Sequence, residues 1–306
     1  MARPVRTAIA TCEAAPDLDE DGPLLLDALA AAGVDATPAV WDDPDVDWSR
    51  FDGVLVRSTW DYPLRRDAFL SWARGCRATV NAAEVLAWNT DKRYLQDLSR
   101  AGVPTVPTVF LAPGGTAAAL PDVSDVVVKP AVSGSAADTG RFTGVSDPGA
   151  VALLADLHAH GRTAMVQPYL SGIDTRGETS MVFLGGEFSH AVRREPLLGA
   201  PGVRRAVVVA DVLGTVRRVE PDAAQLAVAS AALDATPGGR RALSYARVDV
   251  LPGDSGPVLL ELEVTDCFLF LGMAEPAARV RFAEHVLGRL LGDGVATRSG
   301  RPHPGS

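Results

Sequence analysis

The residues best placed to do chemistry lie on either side of one tight turn. Tyr245-Ala-Arg-Val-Asp-Val-Leu251 and Val258-Leu-Leu-Glu-Leu-Glu-Val264 each alternate with period two and flank Pro252-Gly-Asp-Ser-Gly-Pro257, the pattern of a β-hairpin. A turn centred near Ser255 sets Asp249 opposite Glu261 and Arg247 opposite Glu263, all on one face. Val248, Val250, Leu260, Leu262 and Val264 are then expected on the other, dry face. Three carboxylates beside one cation repel each other unless more positive charge joins them, and hard oxygen donors favour Mg2+. A solvated charged face with Arg247 paired to Glu263 fits the same four residues.

A second constellation is Asp125-Val-Val-Val-Lys129-Pro130 followed by the small-residue loop 131–140, with Ser133, Gly134 and Ser135. A lysine ending a strand before such a loop can meet phosphate oxygens while loop amides approach them closely. The loop is neither a Walker A sequence nor G-x-G-x-x-G, and a snorkelling lysine before an ordinary loop is the plain alternative. Lys92, in Asn89-Thr-Asp-Lys92, is expected to open a helix, where its charge opposes the macrodipole; an exposed surface lysine is the other reading. Met165-Val-Gln167-Pro-Tyr169-Leu170 ends a strand and enters a polar connection, which suits a hinge whose backbone reads an adenine edge, or simply a core strand. The histidines show no metal spacing, and no G-x-S-x-G marks a nucleophilic serine.

The elements that must position these residues follow from periodicity. Strands are expected over 7–11, 34–40, 53–56 and briefly 79–80, with helices from Asp21 to Gly33 and over 65–74. A helix over 89–101 leads to strands at 106–111, 125–129 and 164–167, with a helix at 149–160 between the last two. Beyond come antiparallel strands at 178–184 and 188–193 around Gly185-Gly186, a helix at 223–233, the charged hairpin, and a helix from Pro276. With 306 residues and about 150 per domain, more than one domain is expected. The pattern divides at 1–88, 89–168 and 169–306.

The chain carries 29 Lys and Arg against 38 Asp and Glu, a net charge of -9, which argues against nucleic acid as a partner. Apolar runs fall short of the roughly 18 residues a membrane helix needs, so no membrane partner is expected. Residues 8–10 are a short apolar segment followed at once by Glu13 and Asp17, which reads as a first strand and not a signal peptide. Three unpatterned cysteines read as reduced thiols, and the expected location is cytoplasmic.

Taken in order along residues 6–291, these pieces resemble an ATP-grasp ligase. The Asn-Thr-Asp-Lys92 segment, Val-Val-Val-Lys129-Pro with its loop, Gln167-Pro-Tyr-Leu, Glu178, and Arg247-x-Asp249 with Glu261-x-Glu263 fall where that family has them. The resemblance implies an α/β fold with α+β lobes: an N-terminal parallel α/β pre-grasp domain, a small central lid lobe and a C-terminal antiparallel-sheet lobe. It implies ATP and Mg2+ as cofactors. Lys92 and Lys129 would hold phosphates together with Ser133, Gly134 and Ser135, the backbone of Gln167, Tyr169 and Leu170 would take adenine, and Glu178 the ribose. Asp249, Glu261 and Glu263 would hold the metal. Many relatives have Glu-x-Asn where this chain has Glu261-x-Glu263, so Glu263 either ligates or pairs with Arg247; many also have Glu where Gln167 stands.

Ala10-Thr-Cys-Glu13, Val56-Arg-Ser-Thr-Trp-Asp-Tyr62 and Glu187-Phe-Ser-His-Ala-Val-Arg193 look like the subgroup containing the O-ureido-serine cyclo-ligase of cycloserine biosynthesis. The expected reaction is therefore ATP-dependent carbon–nitrogen bond formation through an acyl phosphate, intramolecular in that subgroup. Arg247 and Arg193 are the candidates for stabilising its charged states. The expected partner is a small amino-acid-like substrate, held by Glu13, Arg57, Ser58, Asp61, His190 and Arg194; a local salt bridge is the alternative for Arg57 and Asp61. A homo-oligomer is compatible with this reading. A dipeptide or amino-acid ligase, a metal-dependent sugar-nucleotide transferase and a nucleotide-binding scaffold are the competing functions.

Overall fold

A computed structural model describes residues 3–115, 124–134, 137–205 and 215–292. Three sheets account for its strands. The first is parallel, in the order β2-β1-β3, from β1 (Val5–Thr11), β2 (Val34–Val40) and β3 (Gly53–Val56), with a single parallel bridge from Val54 to Thr79 where a short strand was expected. Helices α1 (Gly22–Ala31) and α2 (Arg66–Gly75) cover it. Asp21 precedes α1 but makes no side-chain cap; its carboxylate is used elsewhere.

The expected helix over 89–101 starts later, as α4 (Tyr94–Arg100); a helix that was not anticipated, α3 (Ala83–Asn89), precedes it, with Lys92 in the turn between them. The break has a visible cause. The Lys92 N–H donates to Ala131 O at 2.8 Å and so is not available to the intrahelical ladder, while the Asn89 side-chain amide ties the end of α3 to the backbone of Leu262 and Val264.

The second sheet is antiparallel, ordered β10-β6-β5-β7-β4, from β4 (Val109–Leu111), β5 (Val126–Pro130), β6 (Thr139–Phe142), β7 (Ala164–Pro168) and β10 (Val203–Arg205). Strand β6 was not anticipated, and β10 enters this sheet from beyond residue 168. Helix α5 (Pro148–Ala159), capped by Asp147 onto Gly149 N, closes a separate core of Val126, Val128, Phe142, Leu153 and Leu157.

The third sheet is also antiparallel, ordered β11-β9-β8-β12-β13, from β8 (Glu178–Leu184), β9 (Glu187–Arg194), β11 (Val216–Val219), β12 (Tyr245–Gly253) and β13 (Gly256–Glu263). The β8–β9 turn needs positive φ at Gly185 and Gly186, 64° and 80°, which glycine alone adopts readily. A short helix α6 (Gly172–Arg176) precedes the sheet, and α7 (Ala223–Asp234), with a full capping box from Asp222 and Gln225, packs on it. The last helix, α8 (Pro276–Leu291), returns to the first sheet. There Phe282 and Val286 share one core with Ile9, Leu25, Leu29 and Leu55 and with Val182 and Tyr245 of the third sheet.

Strand β13 lies at a sheet edge, yet side chains and loop backbone occupy that edge. Asn81 donates to Tyr245 O and Val264 O, Asn89 donates to Leu262 O and accepts from Val264 N, the Tyr94 hydroxyl accepts from Leu262 N, and Pro104 O accepts from Leu259 N. The strand carrying the carboxylates is thereby fixed without a further strand beside it.

Candidate active site

The β12–β13 register places Asp249 opposite Glu261 and Arg247 opposite Glu263, as the alternation requires. A bulge then follows, with Val250 pairing Leu259, so Leu260 is the extra residue. This corrects the expected dry face: Leu259 is the fully buried core residue, while Leu260 lines the cleft beside Glu261.

That cleft lies between the second and third sheets. Its walls bring together Lys92, Lys129, Ser133 and Gly134, the strand end Gln167-Pro168-Tyr169-Leu170, Glu178, Arg194, Arg247, Asp249, Glu261 and Glu263. Val106, Val127, Ile173, Leu251 and Leu260 give the same space apolar walls. Ser135 lies outside the described residues.

Oxygen atoms of Asp249, Glu261 and Glu263 lie within 4.8 Å of one another, an all-oxygen donor set that suits Mg2+. Each already has a cation. Arg247 grips Asp249 through Nε and Nη2, both at 2.9 Å, and reaches Glu263 at 2.9 Å; Lys92 Nζ meets Glu261 at 2.7 Å and donates to Ser133 O at 2.7 Å. Glu263 is thus both a member of the donor set and a partner of Arg247.

Burial pushes the Glu263 carboxyl up to about 8, against the pull of Arg247 and with help from Glu261 and Asp249. Burial also acts on Glu261, but Lys92 and Lys129 outweigh it and hold this carboxyl below its ordinary value. Lys92 is buried and still raised, because Glu261 and Glu263 more than offset desolvation. Lys129 goes the other way. Burial lowers it against the pull of Glu261, neighbouring Lys92 adds to the shift, and it forms no salt bridge among the described residues. A buried ammonium with no carboxylate at salt-bridge distance is arranged to receive an anion.

On the opposite wall, Glu178 accepts from Arg194 at 3.1 Å and from Ser180 Oγ at 3.3 Å, and burial raises its pKa. The Gln167 amide donates to Thr108 Oγ1. The Tyr169 N–H is already donated to Asp125 O at 2.9 Å, and the Tyr169 ring lies under the Arg141 guanidinium, 3.5 Å from its centroid. Of the backbone groups expected to read a base, that amide is therefore committed inside the protein.

Residues 7–94 match the family described as the N-terminal domain of D-cycloserine synthetase DcsG. Cycloserine biosynthesis protein DcsG of Streptomyces lavendulae is 35% identical over 298 residues, covering 92% of this chain and 98% of that protein. The chain belongs to the D-cycloserine synthetase DcsG family. The crystal structure of D-cycloserine synthetase DcsG superposes with a TM-score of 0.83 at 33% identity, covering 93% of this chain and 99% of that one. D-alanine–D-alanine ligase from Bacillus anthracis, at 13% identity and a TM-score of 0.62 over 95% of this chain and 98% of that one, shares the fold. This DcsG-family member is an ATP-dependent ligase with the ATP-grasp fold, which sets aside the sugar-nucleotide transferase and the scaffold. No helix among the described residues is long and apolar enough to cross a membrane.

The expected substrate residues fare less well in this DcsG relative. Arg57 is 1% exposed, donates to Cys267 O at 2.6 Å and lies 3.6 Å from both Asp19 and Asp21, so it holds a loop and not a ligand. Ser58 Oγ donates to Asp19. Asp61 accepts from Trp41 Nε1 at 2.8 Å and pairs with Arg65, the local bridge allowed for above. Glu13 is exposed and lines no part of the cleft. His190 is 2% exposed, bonded to Leu269 O and Ser189 Oγ, with burial driving its pKa down to about 4; it is a satisfied core histidine. Arg193 faces away from Arg194 on β9 and lines a separate pocket, so of that pair only Arg194 reaches the cleft.

Proposed function

We propose that the protein closes O-ureido-D-serine into D-cycloserine, using Mg2+ and ATP to activate the substrate carboxylate. The cleft that gathers two lysines and three carboxylates beside Arg247 carries the reading; the names of the DcsG relatives point to D-cycloserine as the product. A carboxylate is a poor electrophile because oxide is a poor leaving group. Transfer of the γ-phosphoryl group makes that oxygen a phosphate, and attack by the ureido nitrogen attached to oxygen then expels it as inorganic phosphate, forming the ring amide; the carbamoyl group on that nitrogen leaves by hydrolysis, one water taking it to carbon dioxide and ammonia, to give cycloserine. Both groups belong to one molecule, so correct folding of the substrate replaces a second binding event.

Lys129 and Lys92, with the amides of Ser133 and Gly134 and with Ser135, hold the phosphates. The strand end at Gln167, Tyr169 and Leu170 takes the base and Glu178 the ribose. Asp249, Glu261 and Glu263 would hold Mg2+, which would offset the charge of the phosphoryl group in transfer. Arg247 and Arg194 are the cations nearest the developing charge, and the same reading makes the cytoplasm, where ATP is plentiful, the compartment. The test is ADP release from Mg-ATP with O-ureido-D-serine, with products followed by mass spectrometry. ADP together with cycloserine supports the assignment; ADP released only when two amino acids are supplied together replaces it with a dipeptide-type ligase.

A further inference from the structure

Beyond the carboxylate cluster the cleft continues into a second pocket that shares the wall of Lys92, Arg194, Arg247, Glu261 and Glu263. Its far side is different in kind: Trp60, Tyr62, Phe268 and Phe270, with Asp266 among them. Phe268 and Phe270 meet edge to face at 4.9 Å between centroids. Asp266 forms no salt bridge and no hydrogen bond to another side chain among the described residues; Lys92, Arg247 and Arg57 act on its charge only from beyond salt-bridge distance. Every other carboxylate of this wall has a cation.

We infer that Asp266, boxed by Trp60, Phe268 and Phe270, is the specificity residue that receives the α-ammonium of the amino-acid substrate. The two ends of the pocket match a zwitterion. Lys92, Arg194 and Arg247 stand where the carboxylate must lie to be phosphorylated, and a carboxylate among aromatic faces is the complement of an ammonium group. Burial holds the Asp266 pKa up at about 7, which a bound ammonium ion would relieve.

The loop bearing Asp266 is built to stay in place. Asp21 accepts from Leu269 N at 2.9 Å and from Leu271 N at 2.6 Å, Arg57 donates to Cys267 O, and His190 bonds Leu269 O at 2.9 Å. Phe270 sits at φ 50°, a left-handed conformation uncommon for a bulky residue, and these anchors hold it there. Asp21, Arg57 and His190 are thus positioning residues for the ammonium pocket and do not touch its occupant.

The inference deepens the cyclo-ligase reading, and the experiment separates the two. ADP release is measured for wild type and Asp266→Asn with O-ureido-D-serine, a panel of α-amino acids, and the analogue of each active compound that carries hydrogen in place of the α-ammonium. The wild type should favour the amine over its des-amino analogue. Asp266→Asn should raise KM for the amine about 10- to 100-fold, leave KM for ATP and the melting temperature unchanged, and erase the preference. If Asp266→Asn keeps the preference, or if it raises KM for ATP instead, the assignment to Asp266 is wrong. If no α-amino acid elicits ADP release, it is wrong as well. If O-ureido-D-serine is silent while another amino acid is active with Asp266-dependent preference, the cyclo-ligase reading fails and this one stands.

Discussion

Lys129 shows how a single residue can be placed against stability. It is buried, carries no salt bridge, and has its pKa lowered by desolvation, so its charge costs free energy until an anion arrives. Lys129→Met should therefore raise the melting temperature of the nucleotide-free protein while weakening ATP binding about 10- to 100-fold, as measured by calorimetry. His190 has the opposite logic. Its ordinary pKa of 6.5 falls to about 4 in the fold because burial disfavours the charged ring. Between those values the unfolded chain binds the extra proton and the folded chain does not, so stability falls as pH falls through that window. The loss approaches roughly 3 kcal/mol. His190→Gln should flatten that part of the curve in urea titrations from pH 7 to pH 4, and an unchanged slope would count against this account.

At the scale of elements, the bulge in β13 separates two adjacent leucines into different tasks. Leu259 is fully buried in the core beneath the third sheet, and Leu259→Ala should cost about 2–5 kcal/mol in chemical denaturation. Leu260 faces the cleft, so Leu260→Ala should cost much less stability and show itself as a higher KM for ATP. The alternation of β12 and β13 was legible in the sequence because strand periodicity is local, and it brought out Arg247, Asp249, Glu261 and Glu263 correctly. Leu260 was misplaced because nothing in a run of alternating residues announces one extra residue. The meeting of Lys92 and Lys129 in one cleft was also legible from patterns a few residues long, although Lys92 stands in a turn before α4 where a helix start was expected. The substrate side was not. Arg57 and Asp21 are paired with each other and with a loop more than 200 residues away, so their burial could not be read from their neighbours. The loop itself, an apolar run from Cys267, has no periodicity that would set it apart; the one signal was Asp266 set beside Phe268 and Phe270.

Over the whole molecule, the first and third sheets share a hydrophobic core through Ile9, Leu55, Val182, Tyr245 and Phe282, and buried Asn81 and Asn89 stitch them further. The second sheet has its own core with α5, and it meets the larger body through Met165 and Phe110 and through Lys92. Lys92 touches both sides at once, with its N–H on Ala131 O and its ammonium between Ser133 O and Glu261. The salt bridges of Arg247 and Lys92 have one more consequence. Many proteins whose acidic clusters depend on a bound ion loosen when a chelator strips it, because like charges are left facing one another. Here the protein supplies internal counter-ions, so dialysis against EDTA should leave the melting curve where it was. In Arg247→Met the same treatment should depress it, and added magnesium should restore it. The wild-type enzyme could then be purified and stored without its metal and regain turnover on addition of magnesium, with no refolding step.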